Sequence, residues 1–475
     1  MGNTPSVVRD CLLAAVGNNP ALVNFQNDTF FDLNTPLYNL NYPVVPTAIT
    51  YPENSYQVAE IVKCAARNGL KVQAYSGGHS YANYGLGGED GAIVVHMKNM
   101  HHFSMDKETH VASVGAGTHL GDLHIHLYHA GKRAVAHGAC PQVGVGGHFT
   151  IGGLGAMSRE WGTALDHIEA AEVVLANGSI VIASHEQNQD VLFAIKGAAA
   201  SFGIVTEFKL RTHPAPREAI QYSYAFNLGK TSQRAQLFKD WKKLVSIENI
   251  PRQFATELVL FESGALLSGT FFGTKEEWEA FGLENHFPIH NSGNVLYLTN
   301  WLGMLTSQAE NLIMRAAGGI PCNFYAKSMS FTAETMISDD GVDKMLEYID
   351  STSKGTLEWF IIFDLEGGAV NDHAVNATAY AHRDAIIWMQ SYSVNPVGRI
   401  TQKIKDFQHG LYDTIASTRP DARFGAYPGY VDPEMENAQS AYWGPNLPRL
   451  QNIKAAIDPT DLFHNPQSVR LNAHR

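Results

Sequence analysis

Apolar and polar positions along the chain alternate with two different periods, and the changes of period mark its elements. Val58, Ile61, Val62 and Ala65 fall at i, i+3, i+4 and i+7, one face of a helix, with Asn54 and Ser55 where an N-cap belongs. Gly69 is a helix stop. Leu70, Val72 and Ala74 then alternate with Lys71, Gln73 and Tyr75 as a strand. A turn at 76–80 follows, and 92–96 is a second apolar strand. A new unit begins near Val111. It holds a helix over 120–129 stopped by Gly131, and strands 170–176 and 180–183 joined at Asn177-Gly178, a dipeptide suited to tight hairpins. The strand Ile204–Leu210 closes this part, and His213-Pro214-Ala215-Pro216 reads as a boundary.

From 217 to 426 the pattern changes. Strands 254–261, 265–272, 359–365 and 386–392 alternate with amphipathic helices, one carrying Leu237, Trp241, Leu244 and Val245. Thr274 and Glu277 have capping-box spacing. This predicts a second α+β domain with its own antiparallel sheet. A last helix, Leu447–Ile457, precedes Phe463-His464-Asn465-Pro466-Gln467-Ser468.

The 475 residues are 45% hydrophobic and 17% charged, enough apolar material for a packed core and too little charge for a disordered chain. Lys+Arg 34 against Asp+Glu 46 gives a net charge of −12, which argues against a nucleic-acid or anionic-membrane partner. No apolar run reaches the roughly 18 residues of a membrane span. Cys11, Cys64, Cys140 and Cys322 lack CxxC spacing, so no metal site is expected. The start of the chain has no apolar signal core and fits the myristoylation pattern loosely, at Gly2 and Ser6. Sequons stand at Asn27, Asn177 and Asn376.

Two glycine-rich stretches carry the candidate chemistry: 76–80, and Gly144-Val145-Gly146-Gly147-His148 followed by Gly152-Gly153-Leu154-Gly155. Residues without side chains let backbone amides converge on an anion such as a pyrophosphate. Neither stretch has the GxGxxG arrangement of a Rossmann site. The first contains His79 and the second follows Cys140. Taken singly, such a histidine is a polar turn residue and such a cysteine a small buried hydrophobe. Both at phosphate-type turns of one βα framework is a far less ordinary combination.

SGGHSYANYG, HGACPQVGVGGHFTIGGLGAMSREWG, FAIKGAAASFGIVTEFKL, YPGYVD and FHNPQSVR together resemble the berberine-bridge-enzyme-like branch of the vanillyl-alcohol-oxidase flavoproteins, within it the fungal oligosaccharide oxidases. The resemblance spans nearly the whole chain. It implies an α+β, two-domain PCMH-type fold: an FAD-binding domain over 1–216 completed by 436–475, and a substrate-binding domain over 217–435 on an antiparallel sheet backed by helices. It implies FAD bound covalently through His79 to the 8α carbon and Cys140 to C6. Gly77, Gly78, Ser80, Val143, Gly144, Gly146, Gly147, His148, Gly153, Ile204 and Tyr427 would lie near the cofactor, and the small Val143 suits access by oxygen. A Cys11–Cys64 disulfide also follows from the resemblance, with Cys64 on the first helix. With the sequons it favours a secreted monomer whose start is trimmed of its signal peptide.

The same resemblance makes Tyr430 the base that removes a hydroxyl proton, helped by Asp364 at the end of strand 360–363. A free tyrosine has a pKa of about 10, so help is required. The first reading is oxidation at C1 of an oligosaccharide: the alcohol would lose its hydride to the flavin, and O2 would reoxidise it to give hydrogen peroxide. Tyr81, Tyr427 and Gln390 carry over as substrate contacts. Phe360 and Ile362 stand where an aromatic residue and a glutamine belong, and glutamates are replaced near Cys322 and Val259. The pocket is therefore expected to be more apolar than a sugar site, which keeps a less polar alcohol or secondary metabolite open as substrate. A lapsed enzyme retained for binding is a further alternative, opposed by the intact Tyr430, Asp364, His79 and Cys140.

Overall fold

The computed structural model describes residues 4–29, 31, 35–287, 293–301, 303–304 and 321–472. Gly2 of the myristoylation pattern lies outside them. Among the described residues no helix is long and apolar enough to cross a membrane.

Three sheets organise the chain. A four-stranded sheet has the order Val23–Phe25, Ala48–Thr50, Ile93–His96, Val72–Tyr75, its last three strands parallel. The helix Ser55–Arg67 crosses between two of them, as its apolar stripe predicts, burying Val58, Ile61, Val62 and Ala65. The Asn54 side chain caps it by accepting from the Gln57 amide at 3.0 Å. A five-stranded antiparallel sheet follows, in the order Phe103–Met105, Ala112–Gly115, Ile204–Leu210, Ile168–Val174, Ile180–Ser184. Gly178, at φ +77°, makes the expected turn after Asn177.

The third sheet is antiparallel and seven-stranded: Gly293–Leu298, Ala219–Asn227, Gly264–Phe271, Phe254–Phe261, Glu358–Leu365, Ile387–Asn395, Asn323–Phe331. Alternation gives it two distinct faces. Leu258, Leu260, Ile361, Phe363 and Met389 pack in one core with residues of the helices Thr231–Val245, Asp339–Ser351 and Gln402–Ser417. Glu257, Val259, Phe360, Ile362, Asp364, Gln390 and Tyr392 share the opposite face by register.

Several expectations change. A helix at Ser6–Ala15 precedes the one that carries Cys64, so Cys64 lies on the second helix; the disulfide joins the two, with Cα atoms 6.0 Å apart. Gly131 does not stop its helix. The helix runs Leu120–Gly131 and Lys132 takes the left-handed conformation, its amide donating to the Tyr128 carbonyl at 2.7 Å. His213-Pro214 pairs with Arg133-Ala134 as a short ladder. Asp364 is the penultimate residue of the strand Glu358–Leu365, which matches the predicted strand 359–365 to within one residue.

Candidate active site

The two glycine-rich stretches meet backbone to backbone. A methyl group on Gly77 would collide with the Gly144 amide, and one on Gly144 with Gly77 and Ser76, so neither position tolerates a side chain. The Ser76 hydroxyl donates to the Ala116 carbonyl at 2.7 Å and fixes the turn, while Gly78, at φ +74°, gives it its left-handed residue. At Gly147 a methyl would meet nothing within 4 Å, leaving the backbone open to the cleft that Gly147 lines.

That cleft, about 370 Å³ in volume, gathers most of the predicted residues. Gly77, Gly78, His79, Ser80, Tyr81, Cys140, Val143, Gly144, Gly146, Gly147, His148 and Ile204 line it from the first two sheets. Ile362, Gln390, Tyr427 and Tyr430 line it from the chain beyond. Its polar residues are few and convergent, as in small-molecule sites generally. Four predicted residues stand just behind the lining. Gly153 donates its amide to the Tyr427 hydroxyl at 2.8 Å. Phe360 stacks on Tyr392 with centroids 4.8 Å apart. Cys322 packs beside Tyr38, Phe324 and Tyr392. Asp364 accepts from Gln390 at 3.5 Å.

Burial sets the charge states. It pushes the His79 imidazole down to about 4, so the ring is neutral and keeps a lone pair. Burial likewise pushes the Cys140 thiol up, and the thiol donates to Gln142 Oε1 at 3.3 Å. His148, held down to about 3 by burial and then by His137, accepts the Gly138 amide at 2.8 Å, which makes it a neutral brace for the second stretch.

Aromatic contacts connect the histidine to the candidate base. Tyr38 lies 4.7 Å from His79 and 6.2 Å from Tyr81, and Tyr81 stacks 6.0 Å from Tyr430. Tyr430 meets Tyr427 edge-on at 4.8 Å. Its phenol is raised well above 10 by burial, then by the charge of Asp364. Asp364 is itself raised well above an ordinary carboxyl, by burial and then by Glu257. The hydrogen bond expected between Tyr430 and Asp364 is not formed. Asp364 instead ends a chain: Tyr81 hydroxyl to Tyr392 hydroxyl, Tyr392 to Gln390 Oε1 at 3.0 Å, Gln390 to Asp364.

Five residues of this neighbourhood escape the sequence reading: Tyr38, Asn39, Tyr392, Glu257 and Glu366. Asn39 is buried and donates to the carbonyls of Tyr81 and Phe324 at 2.8 and 3.0 Å, joining the first turn to the seven-stranded sheet. A signal existed for two of them. Glu366 lies two residues beyond Asp364, and Gln390 and Tyr392 alternate onto one face.

Residues 46–184 match the FAD binding domain family, and residues 426–470 the family described as Berberine and berberine like. The chain is 40% identical to FAD-linked oxidoreductase sorD of Penicillium rubens, covering 98% of both chains. It is 33% identical to a carbohydrate oxidase of Microdochium nivale, over 98% of this chain and 95% of that one. A solved structure of glucooligosaccharide oxidase from Acremonium strictum, described as bearing 6-S-cysteinyl, 8α-N1-histidyl FAD, superposes with a TM-score of 0.87 at 29% identity, over 98% of this chain and all of that one. With its paired glycine turns, its sheet order and these likenesses, the chain belongs to the berberine-bridge-enzyme-like family of FAD-linked oxidoreductases, in the vanillyl-alcohol-oxidase/PCMH-type fold.

Proposed function

We propose that this protein oxidises an alcohol to a carbonyl, with FAD attached through His79 and Cys140 and with Tyr430 as the base. One observation carries the reading: His79, Cys140, Gln390 and Tyr430 line a single cleft floored by the touching glycine turns. Residues 1–216 with 436–475 would hold the cofactor, and 217–435 would present the substrate wall. The glycine turns fit the pyrophosphate, since open backbone is what close approach of an anion needs. The neutral His79 imidazole supports attachment at the 8α carbon, and Cys140 at C6 follows the relative described as bearing both links. When bound, FAD accepts the hydride and passes the electron pair to O2 as hydrogen peroxide.

The protein's own part is positioning and proton transfer. Tyr430 is protonated at neutral pH, so it takes the alcohol's proton only as its own leaves. In this reading Asp364, whose charge acts on Tyr430 although no hydrogen bond joins them here, takes that proton up in its ionised form. The Gly153 amide pins the Tyr427 hydroxyl, and the edge of Tyr427 holds the Tyr430 ring. Fixing the reacting groups this way supplies the effective concentration that a bimolecular encounter lacks.

The wall favours a weakly polar, flat alcohol. Ile362 lines it, with Val259 opposite in register and Phe360 and Tyr392 stacked beside it. The hydroxyls of Tyr81 and Tyr392 bond to each other, so a sugar would find few unengaged partners. Each sugar hydroxyl buried without a partner costs about 1–3 kcal/mol. Oxidation at C1 of an oligosaccharide is the second reading, favoured by the carbohydrate oxidase relative. The Cys11–Cys64 disulfide and the exposed asparagines of all three sequons support secretion, and a monomer suffices for the site.

Anaerobic mixing of the yellow protein with cello-, chito- and xylo-oligosaccharides and with aromatic alcohols tests this. Bleaching by aromatic alcohols is expected, bleaching by sugars alone would favour the second reading, and no bleaching by any would refute both.

A further inference from the structure

Tyr430 sits in the six-residue segment 427–432, and one strand holds both ends of it. Asn323–Phe331 is the last strand of the seven-stranded sheet, so its outer edge can take up other parts of the chain. The Ser330 amide donates to the Gly425 carbonyl at 3.0 Å, and the Ser328 hydroxyl accepts the Tyr427 amide at 3.2 Å. Tyr427, Pro428, Gly429, Tyr430 and Val431 then line the cleft, with one turn among them, the Tyr430 amide to the Tyr427 carbonyl at 2.9 Å. Asp432 comes back to the strand. Its carboxylate is fully buried and accepts from Lys327 Nζ at 2.5 Å and, on its other oxygen, from the Tyr325 hydroxyl at 2.9 Å. By register Ser328 shares the cleft face with Gln390, whereas Lys327 and Tyr325 alternate onto the opposite face. The segment thus reaches round the edge of the sheet and is held on both sides of it. The Gln467 side chain adds a bond from the C-terminal tail, donating to the Asp432 carbonyl at 2.7 Å.

We propose that Asp432 and Lys327 are positioning residues: their buried ion pair fixes where the segment ends, and so where the Tyr430 ring stands in the cleft. The consequence for catalysis rests on the reading of Tyr430 as the base. In a buried ion pair, desolvation offsets much of the attraction, and apolar residues of similar volume are often as stable. What an apolar pair does not supply is direction. Lys327 and Tyr325 present two donors at fixed points of the strand, one to each carboxylate oxygen, and Ser328 fixes the start of the segment. Between these ends Tyr430 meets Tyr427 at 4.8 Å and Tyr81 at 6.0 Å, ring contacts that tolerate sliding where hydrogen bonds do not. A displacement of about 1 Å in a reacting group can slow a reaction by about 10²-fold.

The test compares full-chain variants loaded with FAD: Asp432→Asn, Lys327→Met, and the double variant Lys327→Met with Asp432→Leu. Each single change leaves a buried charge without its partner, so urea unfolding should show both to be less stable than the native protein. The double variant buries no charge and should be more stable than either single one. Its anaerobic flavin reduction by cinnamyl alcohol should nevertheless stay slow, the limiting rate down by about 10–10²-fold and the half-saturating concentration near the native one. Native-rate reduction by the double variant would overturn the positioning role and leave the pair a matter of packing. If the single variants do not fold, the double variant carries the comparison. 3-Fluorotyrosine at position 430 gives a readout that does not depend on proton transfer. Its fluorine NMR resonance should shift or broaden in the double variant, and a native-like resonance there would also overturn the proposal. Native-rate reduction by Tyr430→Phe would refute the base, with the fluorine difference still in place.

Discussion

In the proposed reaction Tyr430 serves as a base only in company. Tyr430 and Asp364 are each pushed toward the protonated form by burial, and the charge of Asp364 is the next cause for Tyr430. In that reaction the phenol is the conduit and an ionised Asp364 the sink. Ile362, two residues before Asp364 on the same strand, lines the cleft, and Ile362→Gln places an amide where the oligosaccharide oxidases are expected to have one. Sugar binding should tighten in that variant, seen as a lower sugar concentration for half-maximal bleaching, by about five- to tenfold for one hydrogen bond worth about 1–1.4 kcal/mol. Cys140→Ala should keep its flavin through His79. After acid precipitation the colour should stay with the polypeptide in both this variant and the native protein, and free FAD in the native supernatant would refute the attachment.

Elements explain what the sequence made visible. The Ser55–Arg67 helix and the strands Ile204–Leu210 and Phe254–Phe261 were legible because each carries a clean period and a turn or cap signal at its ends. Ser6–Ala15 was not, since only Val8 and Leu12 of its ten residues are buried and its N-cap Pro5 offers no side-chain acceptor. Lys132 was overlooked for the opposite reason: glycine was available at 131, yet the left-handed residue is the one after it. The site was read through its motifs, which are local. The wall was read less completely, because the pairing of Glu257 with Asp364 and the stacking of Phe360 on Tyr392 depend on strand register, a long-range property. The disulfide ties the terminal helix to the Ser55–Arg67 helix across 53 residues of sequence. Reducing it, or replacing both cysteines with alanine, should cost about 2–4 kcal/mol of unfolding free energy by urea titration.

At the scale of the whole molecule, two sheets cradle the glycine turns, and Ile362, Gln390 and Tyr392 of the third line the same cleft. Buried and half-buried histidines held neutral tie that assembly's stability to pH. His148 and His167 are held down to about 3, and His124, His213 and His382 to about 4, each by burial first. Unfolded, they titrate at 6.5, so the unfolded chain binds more protons below that value. The histidines' share of stability should be intact above 6.5 and fall progressively as pH drops from there toward 4, which thermal melts at stepped pH will show. The central claim is narrower: a hydroxyl proton leaves through Tyr430 in a cleft that holds FAD. Anaerobic stopped-flow reduction of Tyr430→Phe against the native protein, both with full flavin absorbance, addresses it most directly. The account predicts flavin reduction slowed by about 10²–10⁴-fold with the flavin still attached; reduction at the native rate would contradict it.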